Sequence, residues 1–169
     1  MVEAPERFTQ IKEKNKFTDE VLQKWIFGNG IHMIDMFLFL GGGIDKYTSV
    51  VRKWKESITN DSFHSLIEFK SGAVGQYISN WSSPGGWSVK MYGDGVRVDI
   101  SPMEEGKVTF SDGKVQELTI SDEDKHFKPG VYKQNRMFVD ACLGKGKISY
   151  PAATLKDSLK VMEFIEEIL

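Results

Sequence analysis

The sequence predicts an α+β fold: a mostly antiparallel, open β-sheet of about six or seven strands, with helices packed on one face and the other face available for oligomerisation. Three observations predict it. Between Tyr47 and Ile120 apolar residues recur with period two, the spacing that sends alternate side chains to opposite faces of a strand. The alternating segments are broken at Ser71-Gly72, Pro84-Gly85-Gly86, Gly93-Asp94-Gly95 and Asp112-Gly113, short turns that join antiparallel neighbours, because parallel strands need long crossovers. Helical periodicity is confined to the flanks, which places helices beside the sheet rather than between its strands.

Residues 1–24 are polar and charge-rich with little periodicity and read as a loop or an extended lead-in to a single domain over residues 25–169. A helix follows from Ile31 to Leu40, apolar nearly all round and therefore expected to be buried, with Asn29 or Gly30 at its N-cap and Gly41 as a left-handed stop. Counting Tyr47 to Ser57 as the first strand, the meander continues through Phe63–Phe69, with Phe63, Ile67 and Phe69 on one face, and Ala73–Ser82, with Tyr77 and Trp81 opposite Val74 and Ile78. Trp87–Met91, Val96–Ile100, Val108–Phe110 and Val115–Ile120 complete it. Val131 to Leu143 then forms a helix closed by Gly144. A last helix opens at Thr154 with Asp157 three residues on, and shows Leu155, Leu159, Met162, Ile165 and Leu169 as one apolar stripe. Leu66, Val74 and Ile78 make the second sheet face apolar as well, and the helices are too few to cover both faces; a second chain or domain is the expected cover.

The composition is that of a globular protein, 40% hydrophobic and 27% charged over 169 residues. With a formal net charge of -2 and no basic cluster, neither nucleic acid nor an anionic membrane is an expected partner. Cys142 is the only cysteine, no secretory signal or membrane-length apolar run occurs, and a cytoplasmic location is expected. The glycine runs do not make a nucleotide site: Gly41-Gly42-Gly43 follows a helix, whereas a dinucleotide fingerprint follows a strand and opens a helix. His32, His64 and His126 lack metal-ligand spacing, so no metal site is expected. The pair that could carry chemistry is His32 and Asp35, three residues apart on one helical face. It reads either as a satisfied core pair or as a substrate-facing histidine at a helix N-terminus, with Asp35 beside it. Asn80, Trp81, Lys90 and Tyr132 are further substrate-binding candidates.

The order of motifs resembles one family. Gly30-Ile31-His32-Met33-Ile34-Asp35, then Leu66 to Ala73, Trp81, Val89 to Gly95, Tyr132, Phe138 to Ala141 with Gly144, and the helix ending at Leu169 are similar to the C-terminal domain of the glucose–fructose oxidoreductase/inositol dehydrogenase/MocA family, over roughly residues 25–169. The resemblance implies an α+β domain that lines a substrate pocket and oligomerises through its open sheet, beside an N-terminal Rossmann domain that binds NAD or NADP and is not in this sequence. It implies an NAD(P)-dependent oxidoreductase acting on a sugar or polyol-like substrate, with His32 catalytic in moving a hydroxyl proton, Asp35 as the acidic residue after it and Tyr132 near a substrate-facing position. Two departures stand out: Gly28 occupies the place where many members have an aspartate, and the Glu-Lys-Pro that carries the catalytic lysine is absent. The isolated chain is therefore expected to be inactive and to bind no cofactor. The alternative is a stand-alone binding or assembly module that keeps the fold without the redox chemistry.

Overall fold

The computed structural model describes residues 1–14, 16–54 and 59–169. Eight strands form one sheet: β1 (Val2–Glu3), β2 (Ile44–Arg52), β3 (Ser62–Phe69), β4 (Val74–Asn80), β5 (Ser88–Gly93), β6 (Val96–Ile100), β7 (Gly106–Phe110) and β8 (Val115–Leu118), in the order β2-β3-β4-β1-β5-β6-β7-β8. All neighbours are antiparallel except β1 against β4. Gly72, Gly95 and Gly113 turn three of the hairpins at φ 86°, 69° and 84°, a region open to glycine at no steric cost. The first meander strand begins at Ile44 rather than Tyr47; Ser57, its expected end, lies outside the described residues.

The strand beyond the expected range comes from the lead-in. Residues 1–24 are not simply a loop: they contain β1, α1 (Phe8–Glu13) and α2 (Asp19–Gln23). Val2 pairs with Tyr77 on one side and Val89 on the other, so β1 joins the two halves of the sheet. A two-residue strand is too short to register as periodicity, yet Val2, Ala4, Glu6 and Phe8 are all buried, every second residue.

A π-helical turn (Ile26–Gly30) runs directly into α3 (Ile31–Gly41), followed after the sheet by α4 (Asp122–His126), α5 (Tyr132–Cys142) and α6 (Leu155–Ile168). Three expectations need correction here. Gly30 has helical dihedrals, so α3 continues the turn and has no capped free start; the Asn29 side chain is used elsewhere. The stop is Gly42, at φ 92°, one residue later than expected. And α3 is buried only through Met33, Ile34 and Phe37; His32, Phe39 and Leu40 are exposed. In α6 the buried face is Val161, Phe164, Ile165 and Ile168, while Leu155, Leu159, Met162 and Leu169 form a second, exposed stripe. The capping box at its start is present: Thr154 and Asp157 bond reciprocally.

The core lies between α3, α6 and the inward face of β2–β4, where Phe63, Ile67, Phe69 and Tyr77 point as their alternation requires. Two glycines set the spacing. A Cβ on Gly41 would enter the Phe69 ring, and one on Gly75 would lie 2.5 Å from Phe37 Cε2 and 2.9 Å from Phe69 Cε2. Gly75→Ala is therefore expected to destabilise the domain by about 1–3 kcal/mol, lowering the thermal midpoint by roughly 2–4 °C for each kcal/mol. A melting curve that superimposes on the unsubstituted protein's would show that α3 does not depend on this close approach.

Candidate functional site

The site begins with how α3 is held. Asn29, in the π-helical turn, donates from Nδ2 to both carboxylate oxygens of Glu6, at 2.9 and 2.8 Å, and Trp25 Nε1 donates to the same carboxylate at 3.4 Å. Glu6 is only 4% exposed, and burial pushes its carboxyl above the ordinary glutamate range against the opposing pull of Trp25, Asn29 and the Trp87 indole. The turn so anchored leads straight into His32. Its imidazole is exposed and lies beside Trp87, with ring centroids 6.4 Å apart and planes at 49°.

Asp35 follows one turn later and is half-buried. Burial raises its carboxyl pKa first, the negative charge of Asp157 adds to this, and His32 opposes it. A carboxyl raised on folding gives its full stabilisation below its unfolded range and loses it as pH rises through the folded value. Asp35 lines a cleft of about 660 Å³ between the end of α3, the segment 150–153 and α6, with Phe39 stacked on Tyr150 at 5.6 Å and with Lys70 and Lys160 at its walls. That volume suits a small polar ligand. No hydrogen bond joins His32 to Asp35 among the described residues, so the pair is not the satisfied core pair that spacing alone allowed.

The other sequence candidates lie apart from this pair. Trp81 is 4% exposed, packs on Phe8 and Phe63, and donates from Nε1 to Ser79 at 3.1 Å. Asn80 accepts from Ser62 at 2.8 Å and is bonded to His64 at 3.0 Å. Lys90 pairs with Glu3 at 3.8 Å. By their register Asn80 and Lys90 share the sheet face opposite to α3. Tyr132 opens α5, where its ring stacks on Phe127 at 4.6 Å and 8°. None of these four lines the cleft that holds Asp35. Glu6, Asn29 and Trp87 stand near His32 and were not singled out as site residues by sequence; the alternate burial of Val2, Ala4, Glu6 and Phe8 is seen only in the structure, because the charged Glu6 interrupts an apolar pattern. Among the described residues no three histidine, cysteine or acidic side chains gather into a metal-holding group, and no helix is long and apolar enough to cross a membrane.

An open, mostly antiparallel sheet with helices on one covered face defines an α+β domain. The chain belongs to the GFO/IDH/MocA C-terminal domain family, whose sequence profile it matches over residues 3–100. In structure it is similar to a levoglucosan dehydrogenase solved with NADH (TM-score 0.66, 17% identity, covering 83% of this chain and 45% of that one). It is also similar to an oxidoreductase from Agrobacterium radiobacter solved with NAD+, L-tartaric acid and magnesium (0.68, 15%, 98% and 51%). An oxidoreductase from Thermotoga maritima has the same fold (0.63, 19%, 85% and 41%). At these identities the likeness is one of fold. The chain spans about half the length of these proteins. No curated protein matches it in sequence.

Proposed function

We propose that this chain is the substrate-binding and oligomerisation domain of an NAD(P)-dependent oxidoreductase acting on a sugar or polyol-like substrate, with His32 as the catalytic residue and Asp35 as a substrate ligand. The observation that carries the reading is the placement of His32: exposed on α3, one turn ahead of Asp35, whose half-buried carboxyl lines the cleft while His32 itself lies outside the cleft's lining. Histidine is the side chain suited to moving a proton near neutral pH. In this reading its imidazole takes the hydroxyl proton as the alcohol carbon becomes a carbonyl, and returns it in the reverse direction. Asp35 accepts a hydrogen bond from a neighbouring hydroxyl and so fixes which one meets His32. Membership of the family supports the reading, and so do the NADH and NAD+ held by two structural neighbours.

The dinucleotide, when bound, accepts or supplies the hydride. These residues do not fit it: the run Gly41–Gly43 closes α3 and leads into β2, an edge strand, so its amides do not open a helix toward a pyrophosphate. A separate dinucleotide-binding domain is the partner this reading requires. The 169-residue chain alone is expected to show no saturable binding of NAD or NADP by calorimetry; micromolar binding of either would overturn this division of labour. The enzyme that contains the domain is expected to reduce one of these dinucleotides with at least one member of a panel of sugars and polyols, followed by reduced-nicotinamide absorbance. Failure with every member would contradict the substrate class.

A further inference from the structure

We propose that Glu6 is a positioning residue for His32: its buried carboxylate ties Trp25 and Asn29 together beside Trp87 into a seat for the imidazole, and protonating that carboxylate loosens the seat.

The geometry comes first. Glu6 precedes α1 and is fixed through its own main chain, since its carbonyl accepts from the Ser82 amide at 2.6 Å. From there its side chain reaches the turn that begins α3. Asn29, three residues before His32, uses one amide nitrogen on both carboxylate oxygens. Trp25, just ahead of the turn, supplies a second donor at 3.4 Å, and the Trp87 indole, a neighbour of the His32 ring, lies close enough to the carboxylate to favour its charged form. His32 is thus flanked along the helix by Asn29, which is bound to the carboxylate, and across the ring by Trp87, which lies near it. π-helical turns are frequent at functional positions, and this one is clamped where it enters α3.

The chemistry of the donor set gives the clamp its pH dependence. Both hydrogen-bonded partners are N–H donors, and a protonated carboxyl brings a further O–H donor among them while giving up acceptor capacity. Among the described residues no lysine, arginine or histidine pairs with Glu6, and its chain neighbour Arg7 is exposed. Beneath it Tyr77 is buried, with a phenol held protonated by desolvation and by the Glu6 charge. A buried carboxylate without a counter-charge costs free energy. Its folded pKa is raised, so relative to the unfolded chain this group stabilises most below the ordinary glutamate range and least above its own raised value. What fixes the carboxylate is its pair of N–H donors, Trp25 and Asn29, which hold the turn that leads into His32.

The test uses the whole 169-residue chain and two NMR readouts, taken from about pH 8 to about pH 4. The Trp25 indole and Asn29 side-chain amide signals are expected to move together, with a midpoint above the ordinary glutamate range. The NOE between the Trp87 indole and the His32 ring is expected to be lost through the same transition. In Glu6→Gln the shared transition should vanish and the NOE should be weak at every pH, with the thermal midpoint preserved. A transition that persists in Glu6→Gln, or an NOE that is indifferent to it, overturns the proposal. Should Glu6→Gln fail to fold, Asn29→Ala retains the carboxylate and removes the clamp; an unchanged NOE there overturns it equally. The inference takes its interest from His32 as the proton-handling group, yet the readout is the coupling itself, so turnover data on His32 and this experiment can fail separately.

Discussion

Replacing His32 by alanine, in the oxidoreductase that contains this domain, is expected to lower turnover by about 10²- to 10⁴-fold, the usual worth of a general acid–base group. The thermal midpoint should stay within a few degrees. The asymmetry follows from where the side chain lies. It is exposed, and its described aromatic neighbour is Trp87 at 6.4 Å, so removing it leaves neither a cavity nor an orphaned buried donor. Surface changes of that kind usually fall within about 0.5 kcal/mol. The loss should appear in kcat rather than KM, because a proton is transferred at the transition state whereas Asp35 and the cleft wall hold the ground state. Steady-state kinetics with a melting curve measure both. Near-normal turnover would return His32 to a structural role and remove the reason for placing chemistry on α3.

A charged residue at Val74 is expected to split an oligomer that the unsubstituted domain forms at micromolar concentration. On the open face Val50, Leu66 and Val74 are 45%, 47% and 66% exposed, and Ile78 stands beside them half-buried. The register places all four on one surface of β2–β4. The same surface carries the Lys46–Glu68 ion pair beside Val74, and farther along it Lys90, Asp99, Arg97, Lys107 and Glu117 stand among the exposed Tyr92 and Val115. Apolar area interspersed with charged groups is common in protein interfaces. Covering about 800 Å² on each partner at about 25 cal/mol per Å² outweighs ordinary association costs. In a two-fold dimer Val74→Asp places an unpaired charge in the patch twice, at a cost of several kcal/mol, or a weakening of roughly 100-fold or more. Light scattering should show a dimer or larger species for the unsubstituted chain and a mass near 19.2 kDa for the variant, with an unchanged circular dichroism spectrum. A mass near 19.2 kDa for both would mean that the face is not an interface.

The fold was legible where the pattern was long. Seven strands, their turns and the division of Tyr77 from Val74 and Ile78 could be read because each rests on several alternating residues and a glycine turn. β1 could not, since two residues carry no period, and its place in the sheet is decided by contacts with β4 and β5 far along the chain. In α6 the expected stripe Leu155, Leu159, Met162, Ile165 and Leu169 meets the core only at Ile165; Val161, Phe164 and Ile168 complete the buried face, and periodicity cannot say which of two overlapping apolar faces meets the sheet. The candidate site was legible in part: α3 carries His32 and Asp35 one turn apart, as their spacing requires, but the helix was read as starting at Asn29 or Gly30, because nothing local shows that Glu6 would claim the Asn29 amide and let the π-helical turn run on. Trp81 looked like a ligand-facing aromatic and is a core residue bonded to Ser79.

The central claim is that this domain supplies the substrate side of an oxidoreductase whose cofactor side lies in another domain. Sequencing the complete reading frame around it tests that claim most directly. The account predicts a dinucleotide-binding half in the same frame, with Gly-x-Gly-x-x-Gly between a strand and a helix and a Glu-Lys-Pro ahead of the position of Val2. A frame that encodes residues 1–169 and no such half would contradict it and favour a stand-alone binding or assembly module.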